Sequence, residues 1–225
     1  MSDETESIDC DSRRRRDGTA TRTATEEKRP VGRTNAAGQA SQAAYEEAWA
    51  AAMGFRCPKD CPELKLRIRL HEPDGEGCTP GVYQIRGQMR DGFECKASCT
   101  WELLVRCGKD LIPEEAPHPI GDQRLKCKGD DEIADGLGTA GPVTATGPTR
   151  SDAGRAALEA LRAAVKNTVI REALHVTCPD GCFPQMWIVV GKPTVTFAAP
   201  APPATDWSCT AKCNWYVEVR CRPED

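Results

Sequence analysis

Thirteen cysteines in 225 residues are the groups in this chain best equipped for chemistry. A count this high serves either a disulfide framework or thiolate ligation of a metal. Cys57 and Cys61 are echoed by Cys178 and Cys182 at an offset of 121 (178 − 57 and 182 − 61). Cys95, Cys99 and Cys107 are echoed by Cys209, Cys213 and Cys221 at an offset of 114 (209 − 95, 213 − 99 and 221 − 107). Trp101 and Trp215, Val105 and Val219, and Arg106 and Arg220 keep the second frame. Ten cysteines recurring in the same order in two halves, each block with its own constant offset, predict an internal duplication.

The first pair of each copy sits in turn chemistry: Cys57-Pro58-Lys59-Asp60-Cys61 and Cys178-Pro179-Asp180-Gly181-Cys182. The second pair sits in an alternating run. Four residues along a regular strand place Cys95 and Cys99 about 13 Å apart at about 3.3 Å per residue. A disulfide needs Cα atoms within about 7 Å, so the geometry directs Cys95 and Cys99 across the core, toward the turn pair of their own copy. Cys107 and Cys221 are then left to pair with each other, Cys78 with Cys127, and Cys10 stays free or intermolecular. The rival reading breaks the strand and gathers Cys57, Cys61, Cys95 and Cys99, with Cys178, Cys182, Cys209 and Cys213 in the second copy, as one four-cysteine site each for zinc or a soft metal such as Cu(I). A third uses the turn pair Cys178 and Cys182 as a thiol–disulfide redox centre.

Little else in the chain carries a mechanism. His71, His118 and His175 do not superpose on one another in the repeat frame, and His175 three residues before Cys178 is the one Cys–His juxtaposition. No phosphate loop, dinucleotide fingerprint, nucleophile elbow or metalloprotease motif is present, so no catalytic residue is assigned and the chain leans away from an enzyme. Twin C-x3-C pairs resemble those of the disulfide-linked helical hairpins of the mitochondrial intermembrane space. Pro58, Pro62, Pro179 and the β alternation contradict that helical context, and the resemblance is rejected. An α-β-β-β order, helix 41–53 followed by strands 64–70, 82–89 and 93–107, is also similar to that of double-stranded-RNA-binding domains, with Lys65, Arg67 and Arg69 as a basic row. The second copy lacks that row, no closing basic helix follows, and the net charge is −4; together these argue against nucleic acid. No run approaches the roughly 18 apolar residues of a membrane span.

These residues need elements to hold them. Residues 1–35 are polar and without hydrophobic periodicity, and read as a disordered tail in which Arg13–Arg16 form a solvated basic cluster. Module 1 spans 36–108, a polar linker 109–141, and module 2 142–225. Each module opens with an Ala-rich helix: 41–53, with Tyr45, Ala48 and Ala52 on one stripe and Gly54 ending it, and 152–166, with Leu158, Leu161 and Val165, capped by Ser151 or Asp152. Ala43–Glu46 aligns with Ala156–Glu159 at an offset of 113. Strands follow at 64–70 and 186–190, at 82–89 and 194–198, and at 93–107 and 207–221. In the last pair one parity is Cys95, Ala97, Cys99, Trp101, Leu103, Val105 and Cys107, repeated as Cys209, Ala211, Cys213, Trp215, Val217, Val219 and Cys221. Such alternation predicts a sheet with one wet and one dry face, and its length a bulge near 96–98. The expected class is α+β: a tandem duplication of an antiparallel α-β-β-β module, each with its helix on one face of a small sheet.

The function expected is a non-enzymatic, disulfide-stapled structural or protein-interaction protein, without cofactor, and with an unidentified protein as its partner. The cysteine content points to an oxidising or extracellular compartment. The opening residues, which contain no apolar signal core, point inward, as does the metal-bound alternative.

Overall fold

The computed structural model describes residues 6–127, 132–201 and 204–223. Among the described residues the chain is mostly β, 51% strand and 23% helix, with two helices and long strands paired antiparallel. This corrects the expected α+β duplication of helix-covered small sheets. The strands are β1 (Glu6–Ser7), β2 (Arg13–Glu26), β3 (Phe55–Arg56), β4 (Glu63–Leu70), β5 (Asp74–Ile85), β6 (Gln88–Gly108), β7 (Gln123–Arg124), β8 (Ala134–Gly147), β9 (Val176–Thr177), β10 (Cys182–Val190), β11 (Thr194–Ala198) and β12 (Trp207–Pro223). The helices are α1 (Arg29–Met53) and α2 (Arg150–Ala173). They begin 121 residues apart (150 − 29), the offset of the turn cysteines and not the 113 expected from the Ala-rich segments.

The correction has a local cause. The long strands β2 and β8 precede the helices, where the sequence reads as disordered tail and linker. Their inward positions carry glycine and alanine, which give no apolar alternation. Gly18 lies beneath the ring of Trp101: a Cβ there would stand 2.6 Å from Trp101 Cζ2. Gly138 lies beneath Trp215 in the same way, at 2.8 Å from its Cζ2. The bulk that buries β2 and β8 is therefore supplied by tryptophans on the neighbouring strands, and glycine marks their close approach. Arg13–Arg16, expected as a solvated cluster in a disordered tail, form the start of β2 with their side chains exposed. Arg14 and Arg16 pair with Glu6 at 3.4 and 2.6 Å, Arg15 pairs with Glu102 at 2.7 Å, and Arg16 lies 4.7 Å over the Phe55 ring.

Contacts divide the chain into two compact units. Unit 1 comprises Arg14–Phe55 and Ile68–Val105 with Glu6; unit 2 comprises Ser7–Arg13, Arg56–Arg67 and the chain from Arg106 onward. In unit 1, β6 neighbours β2 on one edge and pairs along its first half with β5 on the other. The β5–β6 turn at Arg86 (φ 51°) and Gly87 (φ 82°) has positive φ at both central positions, as a two-residue hairpin requires. It falls inside the segment 82–89 expected as one strand. α1 is built on a stripe of small residues, Gly32, Ala36, Ala40, Ala43, Ala44, Ala48 and Ala52, all buried. Such a stripe lets a helix approach closely: a Cβ on Gly32 would stand 2.8 Å from the Cys95 sulfur. Trp101 Nε1 donates to Glu47 of the same helix at 3.4 Å.

In unit 2 the 17-residue β12 is the spine. One edge pairs with β8 from Trp207 to Val219. The other pairs with β11 over Ser208–Lys212 and with β10 over Trp215–Pro223. β10 in turn pairs with Leu64–Leu66 of β4. The dry parity of β12 is buried from Cys209 to Cys221, as is that of β6 in unit 1 up to Val105. The expected irregularity occurs at the level of residues 96–98 but is taken up by partner strands, between Gly75 and Gly77 in β5 and around Gly141 in β8. α2 buries Ala153, Gly154, Ala157, Leu161, Val165 and Val169. Its cap is Thr149, whose hydroxyl accepts from Asp152 N at 3.1 Å, ahead of the residues expected to cap it.

Candidate functional site

The antiparallel direction of the strands decides what the cysteines do. The turn Cys57–Cys61 leads into the start of β4, while the turn Cys178–Cys182 leads into β10, whose first residue stands opposite Pro223 at the end of β12. The turn pairs therefore meet the last cysteine of the long strand, and not the earlier pair. Cys57 bonds to Cys107 (Cα–Cα 5.4 Å) and Cys178 to Cys221 (5.5 Å). The other thiol of each turn reaches the segment approaching from the N-terminal side: Cys61 bonds to Cys10 (5.8 Å) and Cys182 to Cys127 (6.0 Å). These four bridges all lie in unit 2. The fifth, Cys78–Cys95, joins directly opposed residues of β5 and β6 in unit 1.

Four expectations are thereby corrected. Cys57 and Cys61 do not bond to Cys95 or Cys99, Cys107 does not bond to Cys221, Cys78 does not bond to Cys127, and Cys10 is neither free nor intermolecular. Cys10 and Cys127, which the sequence frame leaves unmatched, serve the two turns in the same way. Each is preceded at two residues by a buried aliphatic, Ile8 and Leu125, whose backbone N–H groups donate to Arg56 and Thr177. That apolar-x-Cys pattern was the available signal, but it lay in segments too polar to read as structure.

A disulfide sulfur is no longer a thiolate, so a four-cysteine metal site and this pairing are alternative states of the same residues. Of the eight sulfurs in the two four-cysteine sets, Cys57, Cys61, Cys95, Cys178 and Cys182 are in disulfides, while Cys99, Cys209 and Cys213 are free and buried. Among the described residues no three His, Cys, Asp or Glu side chains are grouped to hold a metal ion. Cys178 and Cys182 bond to separate partners and do not form the dithiol that a redox centre at that turn requires. Burial raises the Cys213 thiol to about 11. Burial also raises Cys99, against a smaller opposing effect of a hydrogen bond from Ser41.

The segment expected as linker instead shapes a recess in unit 2. The carboxylate of Glu63 accepts the backbone N–H groups of Leu111 and of Ile112, the latter at 3.1 Å, and so fixes the segment against the start of β4. Ile112 rests near Gly191, at the corner between β10 and β11. The result is a groove of about 480 Å³. Asp110, Glu114 and Glu115 enter it from the segment, Lys192 and Thr194 from the corner, and Lys212 and Asn214 from β12. Thr139 of β8 donates to Asn214 Oδ1 at 3.0 Å, which leaves the Asn214 amide N–H groups to donate.

Further along the segment, His118 is held by two acceptors. Its Nδ1 lies 3.0 Å from Ala116 O and its Nε2 3.1 Å from Asp135 Oδ2. A carbonyl and a carboxylate both need a donor, and only the imidazolium has two. The Ala116 carbonyl, then the Asp135 carboxylate, with a smaller contribution from Glu115, raise His118 above its ordinary value of 6.5. The clip is fully formed at pH below that ordinary value and is lost as pH rises through the raised one. An NMR titration of the His118 ring is therefore expected to give a midpoint above 6.5 that falls on Asp135→Asn; a midpoint at or below 6.5 contradicts the clip. The other histidines are also paired, His175 with Asp122 at 2.7 Å and His71 with Glu102 at 3.4 Å. In the basic row, Lys65 and Arg67 lie 5.2 and 4.8 Å from the ring of Trp187.

Comparison of the chain with family models, with curated proteins and with solved structures gives no match.

Proposed function

We propose that this is a non-enzymatic structural or protein-interaction protein of an oxidising compartment, built from two copies of one module in which disulfides stand in for part of a core. The observation that carries the reading is the pairing of ten of the thirteen cysteines in five disulfides. The bridges at the two turns follow one plan, Cys10–Cys61 and Cys57–Cys107 against Cys127–Cys182 and Cys178–Cys221, which supports the duplication. On this reading each copy begins earlier than its helix, at the segment carrying Cys10 or Cys127, and includes β2 or β8. The five disulfides fit an oxidising or extracellular environment.

Thiol counting with intact-mass detection tests this. The native chain, purified without reductant or chelator, is expected to resist alkylation, because its three thiols are buried and two of them are held above the ordinary thiol range. Denaturation without reductant should add three alkyl groups, and denaturation with reductant thirteen. Thirteen additions without reductant, together with about two metal ions per native chain, would replace the stapled scaffold by the zinc or soft-metal protein.

A further inference from the structure

Charges of both signs line the groove of unit 2 without neutralising one another. Among the described residues, neither Lys192 nor Lys212 makes an ion pair within 4.0 Å with Asp110, Glu114 or Glu115. Lysine has a flexible four-carbon stem, so two lysines sharing a recess with three carboxylates would close onto them if the recess were narrow enough. They are kept apart because both sides are fastened. Glu63 holds the backbone of the acidic segment, and Gly191 N bonds to Asn214 O at 2.9 Å to hold the corner that carries Lys192. Charges of opposite sign, carried on fastened backbone and left uncancelled, favour a ligand that presents the complementary pair, since part of the cost of arranging them is already met in the fold.

A second, independent feature adjoins the groove. β11 starts at Thr194, inside the recess, and among the described strands pairs only with β12, so its other edge keeps free backbone donors and acceptors. No proline interrupts Thr194–Ala198, and Val195 is exposed. An open edge of this kind accepts an extended segment as an added strand, with backbone hydrogen bonds giving affinity and flanking side chains giving selectivity.

We propose that the groove and the β11 edge together dock an extended peptide segment of a partner protein, one that carries a basic side chain toward Glu114 and Glu115 and an acidic side chain toward Lys192 and Lys212. This rests on the protein-interaction reading above and names the place and chemistry of the contact. The charge pair sets the register of the incoming strand, and the Asn214 amide offers a further donor to its acidic side chain.

The test uses the oxidised full chain, labelled with 15N, and an end-blocked heptapeptide of valine and threonine bearing one lysine and one aspartate. Shift changes are expected at Asp110–Glu115, Lys192–Ala198 and Lys212–Asn214, with slowed amide exchange along β11. Lys192→Glu with Lys212→Glu should weaken binding at least about tenfold, and the same variant should instead favour a heptapeptide with two lysines. Both substitutions lie at exposed positions, and the amide spectrum reports that the variant is folded. The proposal is overturned by shifts confined to other regions, by indifference to the charge reversal, or by free lysine binding as tightly as the peptide. A null result with ten cysteines still in disulfides removes the groove proposal alone; loss of the disulfides themselves removes the reading beneath it.

Discussion

Replacing Cys178 and Cys221 together by alanine is expected to lower the unfolding free energy by about 4 kcal/mol, seen as a drop in the denaturant midpoint with little change in fold. The magnitude comes from loop closure in the unfolded chain, where the bridge joins residues 43 apart. Cys57→Ala with Cys107→Ala, which opens a separation of 50, should cost about as much. Cys78→Ala with Cys95→Ala opens a separation of only 17 and should cost about 3 kcal/mol. The two sulfur positions also differ in what surrounds them. Cys95 is fully buried against Gly32 of α1, so its removal leaves a void beneath the helix. If removal of the Cys178–Cys221 bridge left the midpoint unchanged, the staple would have no part in stability, and the scaffold reading would lose its physical basis.

The second large effect is expected at the tryptophans that cover glycine. Trp215 is 4% exposed and its ring lies on Gly138, so Trp215→Ala should cost about 4 kcal/mol, the lost burial plus the cavity left over β8. Gly138→Val should cost about 3 kcal/mol for the opposite reason, because its Cβ would enter space held by the indole of a residue that is itself buried. The diagnostic is the double variant. With the ring removed, valine fills vacated space, so Trp215→Ala with Gly138→Val should be more stable than the sum of the single losses implies. Strict additivity would mean that ring and glycine are not in contact. The same cycle at Trp101 and Gly18 should behave alike, with one difference: Trp101 donates its indole N–H to Glu47, whereas the Trp215 N–H is buried without a described acceptor.

The same two features separate what the order of residues makes legible from what it leaves hidden. Cysteine, tryptophan and valine alternating over fifteen residues can only be a strand with one dry face, since the period of two is a property of the backbone. Both long strands and their buried parity were therefore legible, as were the turn chemistry at the C-x3-C pairs and Gly54 as the end of α1. β2 and β8 were not. Arg-Thr-Ala alternation and Gly-Leu-Gly-Thr-Ala-Gly contain no apolar face of their own, and what buries them belongs to residues far along the chain, Trp101 for Gly18 and Trp215 for Gly138. The same holds for the opening turns of α1, whose stripe of glycine and alanine is a packing surface only when Cys95 stands against it.

Residue types and spacing thus settled that the chain carries two matched sets of cysteines on long alternating strands. Which cysteine meets which was settled by strand direction: an antiparallel return brings the start of one strand to the end of its neighbour, so the turn thiols found Cys107 and Cys221. The groove likewise exists only because Glu63 catches a segment that local composition makes indistinguishable from a linker. Periodicity is local and survives in the order of residues; partner, register and the placing of charge across a recess depend on neighbours brought together by folding, and the linear chain does not contain them separately.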